Sequence, residues 1–139
     1  MSNALPKVFA KTYTVTDELA VHFMGTDAPP VLSTPALLLW MEMTSRESIK
    51  ELLPDGQDTV GVGVTLKHLA ATPVGGEVRV VTTLVNVEGR LYTLEIEAFD
   101  ETEKVGVATH QRAAVNVAKF AERVRAKQKH DPAKDTNDG

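Results

Sequence analysis

The sequence contains no cysteine. That absence excludes a disulfide framework, a thiolate metal site and a cysteine nucleophile, and it suits a reducing compartment such as the cytosol. Long apolar runs are missing too. The longest, Ala36 to Met41, falls far short of the ~20 residues a membrane-spanning helix needs. The N-terminus has no basic region followed by an apolar one, so a cytoplasmic protein without a membrane segment is expected. Positive charge is not in excess: 15 Lys and Arg face 19 Asp and Glu, a net charge of −4, which offers no footprint for a nucleic-acid backbone. His22, His110 and His130 share no ligand spacing, so no metal is expected. Gly61-Val62-Gly63 lies in strand-like sequence with no helix after it, which fails the context of a dinucleotide fingerprint, and no cofactor is expected.

What is present is enough apolar material, 42% of 139 residues, to build one core in one domain. The expected domain covers residues 1–129. From His130 the sequence HDPAKDTNDG is polar, with alanine its only apolar residue, and residues 130–139 read as a disordered tail. The dominant element is a helix from Ser33 to Leu53, with Thr34 as N-cap and Pro35 at the first helical position. Leu37, Leu38, Trp40, Met41, Ile49, Leu52 and Leu53 make its first half apolar nearly all round, while Arg46, Glu47, Lys50 and Glu51 return the second half to water. Val8–Val15 reads as a strand, and Thr16–Pro30 as a loop whose Phe23 and Met24 can cover a pocket. After the helix, alternation predicts four strands: Thr59–Thr72, Glu77–Val87, Leu91–Asp100 and Val105–Val117. In the first of these, Val60, Val62, Val64, Leu66, His68 and Ala70 share a face, with Gly61 and Gly63 on the other. A short amphipathic helix over Asn116–Lys129 completes an α+β fold, a four-stranded antiparallel meander on one long helix.

Four side chains are candidates for chemistry. Glu42 lies between Met41 and Met43 in the most apolar part of the helix. It either serves a site, where desolvation and neighbouring charges tune a carboxylate, or pairs with Arg46 four residues on. His68 closes an aliphatic strand face, as a titratable site residue or as a histidine satisfied by a carbonyl. Thr34 is a cap or a reactive hydroxyl. Arg112 is an outer-face arginine or a site cation. Thr34 and Glu42 are separated by eight positions, about 12 Å along a helix, so one site using both must bridge that gap or draw on a second subunit.

Thr34, Glu42 in LLWMEM, Gly61 and His68 in VGVGVTLKHLAATPVGG, the VEGR hairpin, and Arg112 in GVATHQRA together resemble the fluoroacetyl-CoA thioesterase family of hot-dog-fold proteins. The likeness runs from about Val31 to the end of the last strand. It implies an antiparallel sheet wrapped around a central helix, a homodimer through a continuous sheet, and acyl-CoA sites at the subunit interface. It also implies thioester hydrolysis to a free acid and CoA, with catalytic roles for Thr34, Glu42 and His68. Gly61 and Arg112 would contact the acyl end. The family's namesake covers its pocket with an aromatic-rich segment, whereas Val21–Pro30 holds only Phe23. The expectation is therefore a less gated pocket, lined by Phe23, for another short or medium acyl group. The rival expectations are a non-catalytic acyl-CoA or small-ligand-binding module, and enoyl-thioester hydration on the same fold.

Overall fold

The computed structural model describes residues 5–129; the predicted tail lies outside them. Strand β1 (Lys7–Thr14) leads through a 3₁₀ turn at Asp17–Leu19 to a two-residue hairpin, β2 (Ala20–Val21) with β3 (Val31–Leu32). Helix α1 (Thr34–Lys50) follows, then β4 (Gln57–His68), β5 (Glu77–Glu88), β6 (Leu91–Phe99), β7 (Lys104–Asn116) and helix α2 (Val117–Lys129). The long strands form one antiparallel sheet in the order β1-β5-β6-β7-β4.

The expected four-stranded meander is only three strands long. β5, β6 and β7 are joined by short turns, Gly89 supplying φ +61° at the first, but β4 pairs with β7 on the far edge. The reason lies in the segment after His68. Leu69 and Ala70 donate to Val105 O, and Leu32 N donates to Thr72 O, so this stretch crosses beneath the start of α1 instead of folding back as a hairpin. Asp100 holds the crossing from above: its carboxylate accepts from Thr72 Oγ1 at 2.9 Å and from the backbone of Thr102 and Glu103.

The core forms where α1 meets the sheet. Leu37, Met41 and Ile49 are fully buried, as are Val78, Val80, Leu84, Leu94 and Ala98 opposite them. Trp40 stacks on Tyr13, ring centroids 4.9 Å apart. Gly106 of β7 permits a close approach; a Cβ there would stand 2.9 Å from Leu37 Cδ2 and 3.2 Å from Met41 Cε. Thr44 and Ser45 are buried on the same helix because their hydroxyls return to the carbonyls of Trp40 and Met41, at 2.7 and 2.8 Å. The outer side of α1 keeps Leu39 and Met43 exposed.

Two expectations are corrected here. The N-cap is Ser33, whose side chain accepts from Ala36 N at 3.2 Å, and Thr34 is the first helical residue. In β4 the pairing with β7 slips between Gly61 and Gly63, a bulge. The extra residue reverses the phase of alternation. Thr59 and Gly61 therefore face α1 together with Val64, Leu66 and His68, whereas unbroken alternation puts Gly61 on the opposite face from His68. Because Leu37 fills the space between α1 and β7, Leu37→Ala is expected to lower unfolding stability by about 2–5 kcal/mol, read as a fall in urea midpoint at unchanged m-value.

Candidate active site

The predicted residues fall into two clusters. The first sits where the N-terminus of α1 meets the last residue of β4. Because Ser33 does the capping, the Thr34 hydroxyl is free, and its Oγ1 lies 2.8 Å from His68 Nδ1. His68 Nε2 is buried with no hydrogen-bond partner among the described residues. Thr34 and His68 thus share one hydroxyl–imidazole hydrogen bond, and the second ring nitrogen is left for a group from outside the described residues. Burial holds the His68 pKa below its ordinary 6.5, in keeping with a neutral ring. Beside this pair lies a cavity of about 510 Å³ lined in part by Val21, Phe23, Met24, Thr34, His68 and Leu69. Phe23 is 81% exposed, so it borders the cavity without closing it.

The second cluster lies further along the same face. Glu42 projects from α1 toward β4 and β7, with its Oε2 3.9 Å from Arg112 Nη1. It does not pair with Arg46, which forms a two-pronged contact with Asp58 instead. Gly61 is opposite Arg112 in the ladder, and a Cβ there would come within 2.5 Å of Glu42 Oε2. Only glycine leaves the carboxylate its place. Arg112 is 5% exposed, far from the outer-face arginine that the sequence also allowed. Its Nε donates to Thr59 Oγ1 at 2.8 Å and its Nη2 to Thr59 O at 2.9 Å. Burial draws the guanidinium pKa down, opposed by the charges of Glu42 and Asp58.

Two members of this cluster, Thr59 and His110, were not singled out by the sequence. His110 is 1% exposed and bonded to both Gly63 O and Arg112. Period two along β7 carried the signal: once Arg112 is assigned inward, Ala108, His110 and Ala114 share its face.

One chain does not bring the clusters together. Thr34 and Glu42 are about 12 Å apart along α1, and the ladder from Gly106, paired with His68, to Arg112, paired with Gly61, spans about 20 Å of strand. The half-buried His68 and the buried His110 both have pKa values lowered by burial. Below pH 6.5 the unfolded chain then binds more protons than the folded one. Their contribution to stability is full above 6.5 and is lost as pH falls below it. The urea midpoint is expected to be lower at about pH 5 than at about pH 7.5, and replacing both rings should flatten that slope.

Residues 15–118 match the family model described as fluoroacetyl-CoA-specific thioesterase. The chain is 33% identical over 99 residues, 71% of each sequence, to the fluoroacetyl-CoA thioesterase of Streptantibioticus cattleyicolor. It superposes on a single-residue variant of a fluoroacetyl-CoA-specific thioesterase, crystallised with fluoroacetate and CoA, with TM-score 0.75 and 28% identity over 83% of this chain and 97% of that one. A hot-dog-like protein from Thermanaerovibrio acidaminovorans shares the fold, with TM-score 0.81 and 24% identity over 91% of this chain and 97% of that one. With the sheet wrapped on α1 and the match spanning most of the sequence, the chain belongs to the fluoroacetyl-CoA-specific thioesterase family of hot-dog-fold thioester hydrolases.

Proposed function

We propose that the chain is a cytoplasmic homodimer that hydrolyses a short or medium acyl-CoA thioester to the free acid and CoA, at sites shared between subunits. The observation that carries the proposal is the division of the candidate site residues into a hydroxyl–imidazole pair and a carboxylate–guanidinium pair, set between α1 and the inner face of the sheet at opposite ends of the edge strand β4. β4 is long and unpaired on its outer side, with Val62 and Val64 exposed; such an edge invites a second strand. Antiparallel pairing of two β4 strands about an axis near Thr65 sets Gly61 of one protomer opposite the partner's His68. Glu42 of one subunit then meets Thr34 and His68 of the other.

In this arrangement His68 Nδ1–H donates to Thr34 Oγ1, and the Thr34 hydroxyl turns its own proton to the thioester carbonyl oxygen. Charge that develops on that oxygen is stabilised by a donor already in place. Glu42, steadied by Arg112, takes a proton from water as the water oxygen bonds to the carbonyl carbon. The C–S bond breaks, and Glu42 passes the proton to the departing thiolate. The absence of a Cβ at Gly61 keeps room beside the carboxylate. The exposed Phe23 and the open cavity beside Thr34 favour acyl groups other than fluoroacetyl, up to medium length.

Thiol release should be measured over acyl-CoAs from acetyl to medium-chain and aryl, with Glu42→Gln and His68→Ala beside the unmodified protein. Both variants are expected to lose about 100-fold or more in kcat. Loss of enoyl absorbance without thiol release would move the function to hydration, and binding without turnover would make it a ligand-binding module. An acyl group recovered on Thr34 by mass spectrometry overturns the role given to that hydroxyl.

Sharing of the site has its own test. Glu42→Gln and His68→Ala chains, refolded together, should regain about a quarter of unmodified activity, because half of the dimers are mixed and each mixed dimer holds one intact site. No recovery, in a mixture shown to exchange subunits, would place each site within one chain. Light scattering should give a dimer, and a fully active monomer contradicts the assembly.

A further inference from the structure

The buried ring of His110 is the group in this region that the proposed chemistry leaves unused. Its hydrogen bonding is fixed by its partners. Gly63 O, 2.8 Å from Nδ1, can only accept, so Nδ1 carries the proton. Arg112 Nη1, 3.2 Å from Nε2, can only donate, so Nε2 supplies a lone pair. Both contacts hold at once only in the neutral ring; an imidazolium would turn an N–H toward a guanidinium N–H. Burial, with Arg112 reinforcing it, lowers the His110 pKa, outweighing the bond to Gly63 and the charge of Glu42.

The two partners are the two features that shape the Glu42 pocket. Gly63 ends the bulge that turns Gly61 toward α1. A bulge interrupts the ladder, and His110 supplies a donor for the carbonyl at that point. Arg112 is gripped by Thr59 through Nε and Nη2 and by His110 through Nη1. The same Nη1 stands 3.9 Å from Glu42 Oε2, an ion pair longer than a hydrogen bond. All three grips come from uncharged groups, and the carboxylate that pairs with the cation is Glu42, ahead of the more weakly felt charges of Asp58 and Arg46.

We propose that His110 is a positioning residue: it locks the Gly61–Gly63 bulge and the Arg112 guanidinium into one geometry and so sets where the Glu42 carboxylate stands. This rests on the reading of Glu42 and Arg112 as parts of a thioesterase site.

The test compares His110→Phe, which fills the space but bonds to neither partner, with His110→Gln, which can donate to Gly63 O and accept from Arg112. Each is made in the unmodified and in the Arg112→Ala background. His110→Phe is expected to lower kcat about 10- to 100-fold by misplacing the pair, with KM changed far less, and His110→Gln to recover most of the loss. Once Arg112 is alanine, His110→Phe should cost less than about twofold more, because residues acting as one unit are not additive. Fully additive losses, or a loss of activity that follows the fall in urea midpoint alone, overturn the proposal. A second readout needs no turnover. In ¹⁵N NMR of the ring, the unmodified protein should show His110 neutral with its proton on Nδ1, and Arg112→Ala should move the Nε2 resonance. A proton on Nε2, or a resonance indifferent to Arg112, overturns the proposal even in an active enzyme. If no acyl-CoA is hydrolysed while the NMR result holds, the thioesterase reading fails and the positioning role stands.

Discussion

The seat of α1 on the far half of the sheet depends on one close approach, at Gly106 of β7. Leu37 and Met41 lie against the backbone of Gly106, where a methyl group would already intrude. That contact draws β7, and β4 beside it, onto one side of the helix. It leaves the opposite side, with Leu39 and Met43 exposed, for something outside the chain. On β7 Gly106 pairs with His68 and, beyond the bulge of β4, Arg112 pairs with Gly61, so strand pairing places the two clusters at the two ends of β4. The core is thus organised by a close approach more than by large side chains, and Ala98, Ala108 and Ala114 continue the pattern along the inner face.

Polar groups enter this apolar layer under strict terms. Thr44 and Ser45 return their hydroxyls to their own helix, Tyr13 shares its hydroxyl with Thr44 at 2.9 Å, and Arg112 spends its donors on Thr59 and His110. Each such group is satisfied, which is the condition for keeping it buried. The two that stand apart are His68, with one bare nitrogen, and Glu42, whose nearest cation is 3.9 Å away. His68 is half-buried and the Glu42 side chain is 38% exposed, so both lie where the satisfied interior opens to solvent.

Much of this was legible in the sequence. The long helix, the strands after it and the family motif rest on strong local signals: a proline near a helix start, period-two alternation, and glycine turns. What could not be read was set by single-residue choices among near-equals. Ser33 and Thr34 are both good caps, and only the pull of His68 on the Thr34 hydroxyl separates them. Alternation through Val60, Val62 and Val64 looks regular because the bulge adds one residue and changes no residue type. Its cost was the facing of Gly61 and Thr59. His110 has no ligand spacing with the other histidines to mark it, because its partners are a carbonyl from β4 and a guanidinium from β7. The place of β4 on the far edge is a matter of chain crossing, to which local pattern is blind.

The bulge also says something about how a chain like this can change over generations. Between Thr59 and Val64 the number of residues matters as much as their identity. Were Val62 drawn into an even ladder instead of bulging out of it, Gly61 and Thr59 would swing to the outer surface, taking the floor from under Glu42 and the grip from Arg112. Substitutions that recolour the strand can accumulate there one at a time. A gained codon that the ladder absorbs cannot, because it reverses the facing of every residue before it, so insertions among relatives should collect in the Thr16–Pro30 loop, where length can vary without moving either cluster.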